Sequence, residues 1–161
     1  MHRVGQFVSH VRARVEPEEE SFVVSVLPRD AVDLFGGMPV ADRRHGLDVA
    51  RRLAEAGIED GDLLAAALLH DAAKGHRMRL WHRVGGVVME AVSRPALHRF
   101  ASHDARSWRY PFHLYLNHAA ISAEMAVTAG CSPRAGIFIR GDAAGPDARL
   151  QQALKEADDA S

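Results

Sequence analysis

His70 and Asp71 are adjacent, follow the apolar run Leu63 to Leu69, and stand just before Lys74 and Gly75. Neighbouring side chains on a helix diverge by about 100°. The pair serves one purpose only by converging on a small object held in the angle between them. Imidazole and carboxylate are ligands that borderline and hard divalent metals accept. A carboxylate at the C-terminal end of an apolar helix also meets the negative end of the helix dipole, and it is costly to bury unless paired or metal-bound. A further histidine, His45, lies upstream, and the carboxylates Asp158 and Asp159 lie near the C-terminus. The pattern predicts a metal site assembled from three helices.

The elements that must position these residues follow from punctuation and periodicity. Pro17-Glu18-Glu19-Glu20 is a helix opening, with proline in the first turn and acids at the positive end of the dipole. Leu27-Pro28 ends that helix, and Arg29 to Phe35 forms a short one closed by Gly36-Gly37. Met38-Pro39 opens the helix that carries His45, in which Val40, Leu47, Ala50, Leu53 and Ala54 recur at helical spacing before Gly57. Asp60-Gly61-Asp62 caps Leu63 to Leu69, a helix apolar on nearly every face and therefore central. Leu80 to Val92 is expected to be helical, with Gly85-Gly86 permitting a close neighbour, and Pro95 starts a short element. Ser102 to Pro111 reads as a loop, and Phe112 to Ala129 as a long helix carrying His113 and His118. Ser132-Pro133 opens the next helix, Ile137-Phe138-Ile139 included, and Pro146 to Asp159 is the last. The class is all-α, and 161 residues without linker or repeat make one domain.

The order His45, His70-Asp71, Asp158, with the string His70-Asp71-Ala72-Ala73-Lys74-Gly75, resembles the HD-domain superfamily of metal-dependent phosphohydrolases. The lysine and glycine after the doublet are similar to a common variant of that family. The resemblance spans about Arg43 to Asp159. It implies a single-domain helical bundle over residues 1–161, with a motif-bearing core of about 43–159 behind an N-terminal helical extension. It further implies that His45, His70, Asp71 and Asp158 hold a divalent metal (Mn, Fe, Co, Ni or Mg), one per chain. Ala157-Asp158 fits the family's small-Asp context better than Asp159, which stays open as the last ligand.

The activity implied is hydrolysis of a small phosphorylated substrate, a phosphate mono- or diester such as a nucleotide, by a metal-activated water. Lys74 lies one turn beyond His70, on the same face if the helix persists, where its ammonium binds phosphate or protonates the leaving oxygen. Asp71, Lys74 and His118 are thus the catalytic candidates. Family members with two metals add two histidines before the last aspartate. Asn117-His118-Ala119-Ala120 resembles the first of these, but Gly141 stands where the second is expected. That departure favours one metal, or a weakened second one in which Asp142, otherwise a loop residue, substitutes as an oxygen ligand; His118 is then a proton donor or neighbour of the ligands. Arg44, beside His45, and Arg109, in the Arg106-Trp108-Arg109-Tyr110 loop, are candidates for substrate contact. The alternative reading is a catalytically degenerate HD module that binds a metal or nucleotide for sensing or scaffolding. His103-Asp104 repeats the doublet in a polar loop and is read as coincidence, and His2, His10, His76, His82 and His98 have no partners at ligand spacing.

Composition adds exclusions. A formal net charge of -1 and short basic pairs, Arg43-Arg44 and Arg51-Arg52, give no stripe for a nucleic acid. The single Cys131 rules out an internal disulfide and fits a reducing cytoplasm. No stretch reaches the roughly 20 apolar residues of a membrane span, and no signal-peptide core follows Met1. The expectation is a cytoplasmic protein with no membrane partner, and a homodimer stays open.

Overall fold

The computed structural model describes residues 17–75, 93, 95–102, 104 and 106–161. The expected helix from Leu80 to Val92, the N-terminal extension before Pro17, and His2, His10, His76, His82 and His103 lie outside the described residues.

All regular structure among the described residues is helical. Helix α1 spans Pro17–Val26, α2 Arg29–Gly36, α3 Val40–Glu55 and α4 Gly61–Leu69. Residues 95–100 are helical. Helix α5 spans Tyr110–Thr128 and α6 Pro133–Arg140; a 3-10 turn, Gly145–Asp147, leads into α7, Ala148–Asp159. The caps act as the sequence suggests. Asp60 Oδ1 accepts from Leu63 N at 3.0 Å, and Ser132 Oγ accepts from Ala135 N at 3.0 Å, each filling a first-turn donor that has no intrahelical partner. Helix α5 begins two residues before Phe112 because Pro111 fits the first turn, where a missing N–H costs nothing. Pro146 sits in the 3-10 turn, so the last α-helix begins at Ala148 rather than at the proline.

Helix α4 is the axis of the molecule. Every residue from Leu63 to Leu69 is buried, and the helix packs against α1, α3, α5, α6 and α7. Each leucine fully buried there is worth about 1.5–3 kcal/mol over an exposed one. One contiguous core joins Val23 of α1, Phe35 of α2, Leu53 of α3, Ala126 of α5, Phe138 of α6 and Leu154 of α7 around it. Among the described residues no helix is long and apolar enough to cross a membrane.

With α4 buried on all sides, only its two ends can carry polar groups. His70 lies at one end and Asp60 at the other.

Candidate metal centre

Helix α4 stops at Leu69, and the chain continues from His70 to Lys74 in tight turns: Ala72 N donates to Leu69 O and Lys74 N to Asp71 O, both at 3.0 Å. The expectation that Lys74 shares a helical face with His70 needs the helix to persist. Here the turn tightens to an i,i+3 pattern, so Lys74 meets Asp71 instead. Its Nζ donates to Asp71 Oδ2 at 2.6 Å. From the neighbouring helix α5, the fully buried Ser122 Oγ accepts from Ala73 N at 3.0 Å and pins this turn in place.

His45 from α3, His70 from the end of α4 and Asp158 from α7 meet here. One ligand atom from each lies within 4.8 Å of the others. His45 Nε2 is 2.8 Å from Asp158 Oδ1, His70 Nε2 is 3.4 Å from the same oxygen, and the two rings stand edge to face with centroids 5.2 Å apart. Asp158 is the half-buried member of the C-terminal acid pair and Asp159 the exposed one, and it is Asp158 that stands with the two histidines. Asp71 lies beside this group of three. Its Oδ1 is 3.7 Å from His70 Nε2, and its carboxylate is held by Lys74.

The His70 ring is oriented from behind. Its Nδ1–H donates to Ala67 O at 3.0 Å, which leaves Nε2 turned toward the carboxylates. A backbone carbonyl on the far nitrogen is how proteins fix the tautomer and direction of a ligating imidazole. His70 Nε2 and Asp71 Oδ1 are both buried without a hydrogen bond of good geometry; their nearest charged neighbours are Asp158 Oδ1, 3.4 Å from His70 Nε2, and Lys74 Nζ, 2.5 Å from Asp71 Oδ1, and a shared cation would satisfy both atoms. The donor set of two imidazoles with a carboxylate, and a second carboxylate adjacent, fits a divalent transition metal or Mg.

The electrostatics agree with that chemistry. Burial opposes a charge on His70, but the Asp158 carboxylate 3.4 Å away and the charge of Asp71 outweigh it and raise its pKa. Burial would raise the Asp71 carboxyl, yet the charges of His70, Lys74 and His45 hold it below the usual range. Asp158 is depressed in the same way: burial is outweighed by its hydrogen bonds to His45 and His70. The pocket thus holds ionised carboxylates under desolvation and favours positive charge between them.

The remaining candidates are distributed unevenly. His118 Nδ1–H donates to Tyr115 O at 2.8 Å, and burial, followed by the Lys74 charge, lowers its pKa. It is therefore a neutral imidazole with Nε2 as its acceptor, close enough to sense Lys74, Asp71 and His70. Arg44 is engaged elsewhere: its guanidinium meets Glu19 of α1 at 2.6 Å and Asp48 at 3.1 Å. Exposed Arg109 lies over the Phe100 ring at 5.7 Å. Asp142 Oδ2 is 3.7 Å from Arg140 Nε, and Gly141 ends α6 in the left-handed conformation, φ 80°. A histidine at 141 would strain the backbone there.

Gly46 escaped sequence reasoning. A Cβ on it would lie 2.9 Å from Leu68 O and 3.1 Å from Ala67 O, so α3 and α4 approach closely beside His45. The available signal was a glycine inside an amphipathic helix, where it costs about 1 kcal/mol against alanine. Ser122 carried no such signal.

No protein-family model, curated protein or solved structure matches the chain.

Proposed function

We propose that this protein is a divalent-metal-dependent phosphohydrolase of the HD-domain type, acting on a phosphate mono- or diester such as a nucleotide. The observation that carries the reading is the meeting of His45, His70 and Asp158, from three separate helices, around the buried Nε2 of His70, which the Ala67 carbonyl turns toward the carboxylates. These three residues would hold the metal, with Asp71 as the adjacent carboxylate. A divalent metal bound there supplies a Lewis acid and lowers the pKa of water toward neutrality.

The chain's own groups supply the rest. Ala67 O holds the His70 ring in register. Asp71 tethers the Lys74 ammonium, which presents a point charge to a phosphoryl oxygen. His118, kept neutral, offers Nε2 to accept a proton from water or a substrate hydroxyl.

A second reading, a catalytically inactive HD module that binds metal or nucleotide, draws on a specific observation. Two cations expected at the substrate, Lys74 and Arg44, are both spent on carboxylates. Elemental mass spectrometry on chelator-free protein, with hydrolysis of bis-p-nitrophenyl phosphate and nucleotides, separates the two. One metal per chain and turnover lost in Asp71→Ala supports the hydrolase. Metal without turnover on any phosphoester supports the binding module. Protein that takes up no metal even when supplied with it overturns both.

A further inference from the structure

One residue without a side chain lies next to His45 and close to the carbonyl that orients His70. Gly46 follows His45 in α3, and its α-carbon faces the last turn of α4. A Cβ added there would meet Leu68 O at 2.9 Å, Ala67 O at 3.1 Å and Leu68 Cα at 3.2 Å. All three are backbone atoms of a helix buried on every face, so none can swing aside as a side-chain end would. Ala67 O is the acceptor of the His70 Nδ1–H. The His45 and His70 rings stand 5.2 Å apart beside this close approach of α3 and α4.

We propose that Gly46 is a positioning residue of the metal centre: its bare α-carbon sets the distance between His45 and His70 and, through the Ala67 carbonyl, the orientation of the His70 ring. A methyl group at this position has two ways out, and both damage the site. Sliding α3 away separates the rings. Tilting the Ala67 peptide removes the hydrogen bond that aims His70 Nε2. The effect on metal affinity rests on the function proposed above, while the effect on the His70 ring does not.

The test uses the full chain with Gly46→Ala, and Leu53→Ala as a control for lost stability. Leu53 is a core residue two turns along α3 and remote from both imidazoles in sequence. Two quantities are read: a protected His70 Nδ1–H signal by nitrogen-15 NMR, and the Kd for Mn2+ by calorimetry. Gly46→Ala should lose the ring N–H signal and bind Mn2+ about 10–100-fold more weakly, the range seen when a group orienting a ligand is lost. Leu53→Ala should lower the thermal midpoint while keeping both. Should Gly46→Ala fail to fold, Ala50→Val adds two methyl carbons at a fully buried position one turn on along the same face of α3, and should show the same losses. A retained N–H signal with wild-type Kd in whichever variant folds overturns the proposal. Wild-type protein that binds no Mn2+ overturns the metal reading instead, and the ring signal still decides the role of Gly46.

Discussion

The two ends of α4 carry opposite kinds of polar cluster, about 13 Å apart along one apolar helix. At the N-terminal end Arg134 Nη1 reaches Asp60 Oδ2 at 2.9 Å and Asp62 Oδ2 at 3.1 Å, while its Nε and Nη2 fork onto Asp147 at 2.9 and 2.8 Å. Ser132 donates to Asp62 at 2.6 Å, and the guanidinium lies over the Phe138 ring at 4.9 Å. Donors and acceptors are matched, and the acids sit where the helix dipole is positive. The C-terminal end reverses each of these. Its acids gather at the negative end of the dipole, and two of its buried polar atoms, His70 Nε2 and Asp71 Oδ1, have no good hydrogen bond. One end is a finished strut that ties α4, α6 and the 3-10 turn together. The other gathers two imidazoles and two carboxylates under desolvation, with His45 on Asp158 and Lys74 on Asp71, a crowding of perturbed groups of the kind that functional sites show.

The sharpest way to break that contrast is to remove a group from the C-terminal end. His70→Ala should abolish measurable Mn2+ binding, a loss beyond the roughly 100-fold that an outer partner accounts for, while the far-ultraviolet circular dichroism stays helical. Calorimetry on the purified variant decides it, and wild-type affinity would move the metal away from this end altogether. Next in size is the effect of the ligand itself. Mn2+ at 100 times its Kd stabilises the folded state by about 2.7 kcal/mol, which is roughly 5–10 °C in thermal midpoint for a chain of this size. A chelator should return the midpoint to its starting value. An unchanged melting curve over the full range of added Mn2+ would mean that the buried atoms at His70 and Asp71 are not a cation site.

What could be read before the fold was known divides along the same line. The doublet at the foot of an apolar helix, the Asp60 and Ser132 caps and the placement of His45 on a helix of its own are local features, written in residue type and spacing. Their meeting with Asp158, 113 residues from His45, is a tertiary fact: residue type suggests that a C-terminal carboxylate joins them, and only the family resemblance favours Asp158 over Asp159. The Arg134 strut was not anticipated, because no local pattern says that one arginine will find three separate carboxylates. Lys74 was placed by assuming α4 runs on, whereas the helix ends at Leu69 and the lysine turns to Asp71. Whether a lysine sits three or four residues from its partner in effect depends on where backbone hydrogen bonding tightens, and no side chain announces that.

Removing the strut tests the comparison from its other side. Arg134→Ala leaves Asp60, Asp62 and Asp147 without their shared cation, but the cluster is open to water, and exposed pairs contribute little each. The thermal midpoint should fall by only about a few degrees, with the Mn2+ Kd unchanged within about twofold. A tenfold weaker Kd would show that the two ends are coupled through α4, and that the strut holds the site in place.

The smallest effect belongs to the position where the family resemblance expects a second ligand histidine. Gly141 closes α6 with φ 80° and has no atom within 4 Å of where a Cβ would stand. Space is therefore not the obstacle to a side chain there; backbone conformation is. Gly141→His pays the left-handed penalty of about 1–2 kcal/mol, read as a small drop in thermal midpoint. Exposed Asp142 is paired with Arg140 and lies outside the group formed by His45, His70 and Asp158. The variant should still titrate with one equivalent of Mn2+, as should Asp142→Ala. A second equivalent appearing with the new histidine would mean that a second metal position exists beside His118 and lacks only this ligand. A single equivalent would mean that a histidine at this left-handed helix end does not complete a second metal position.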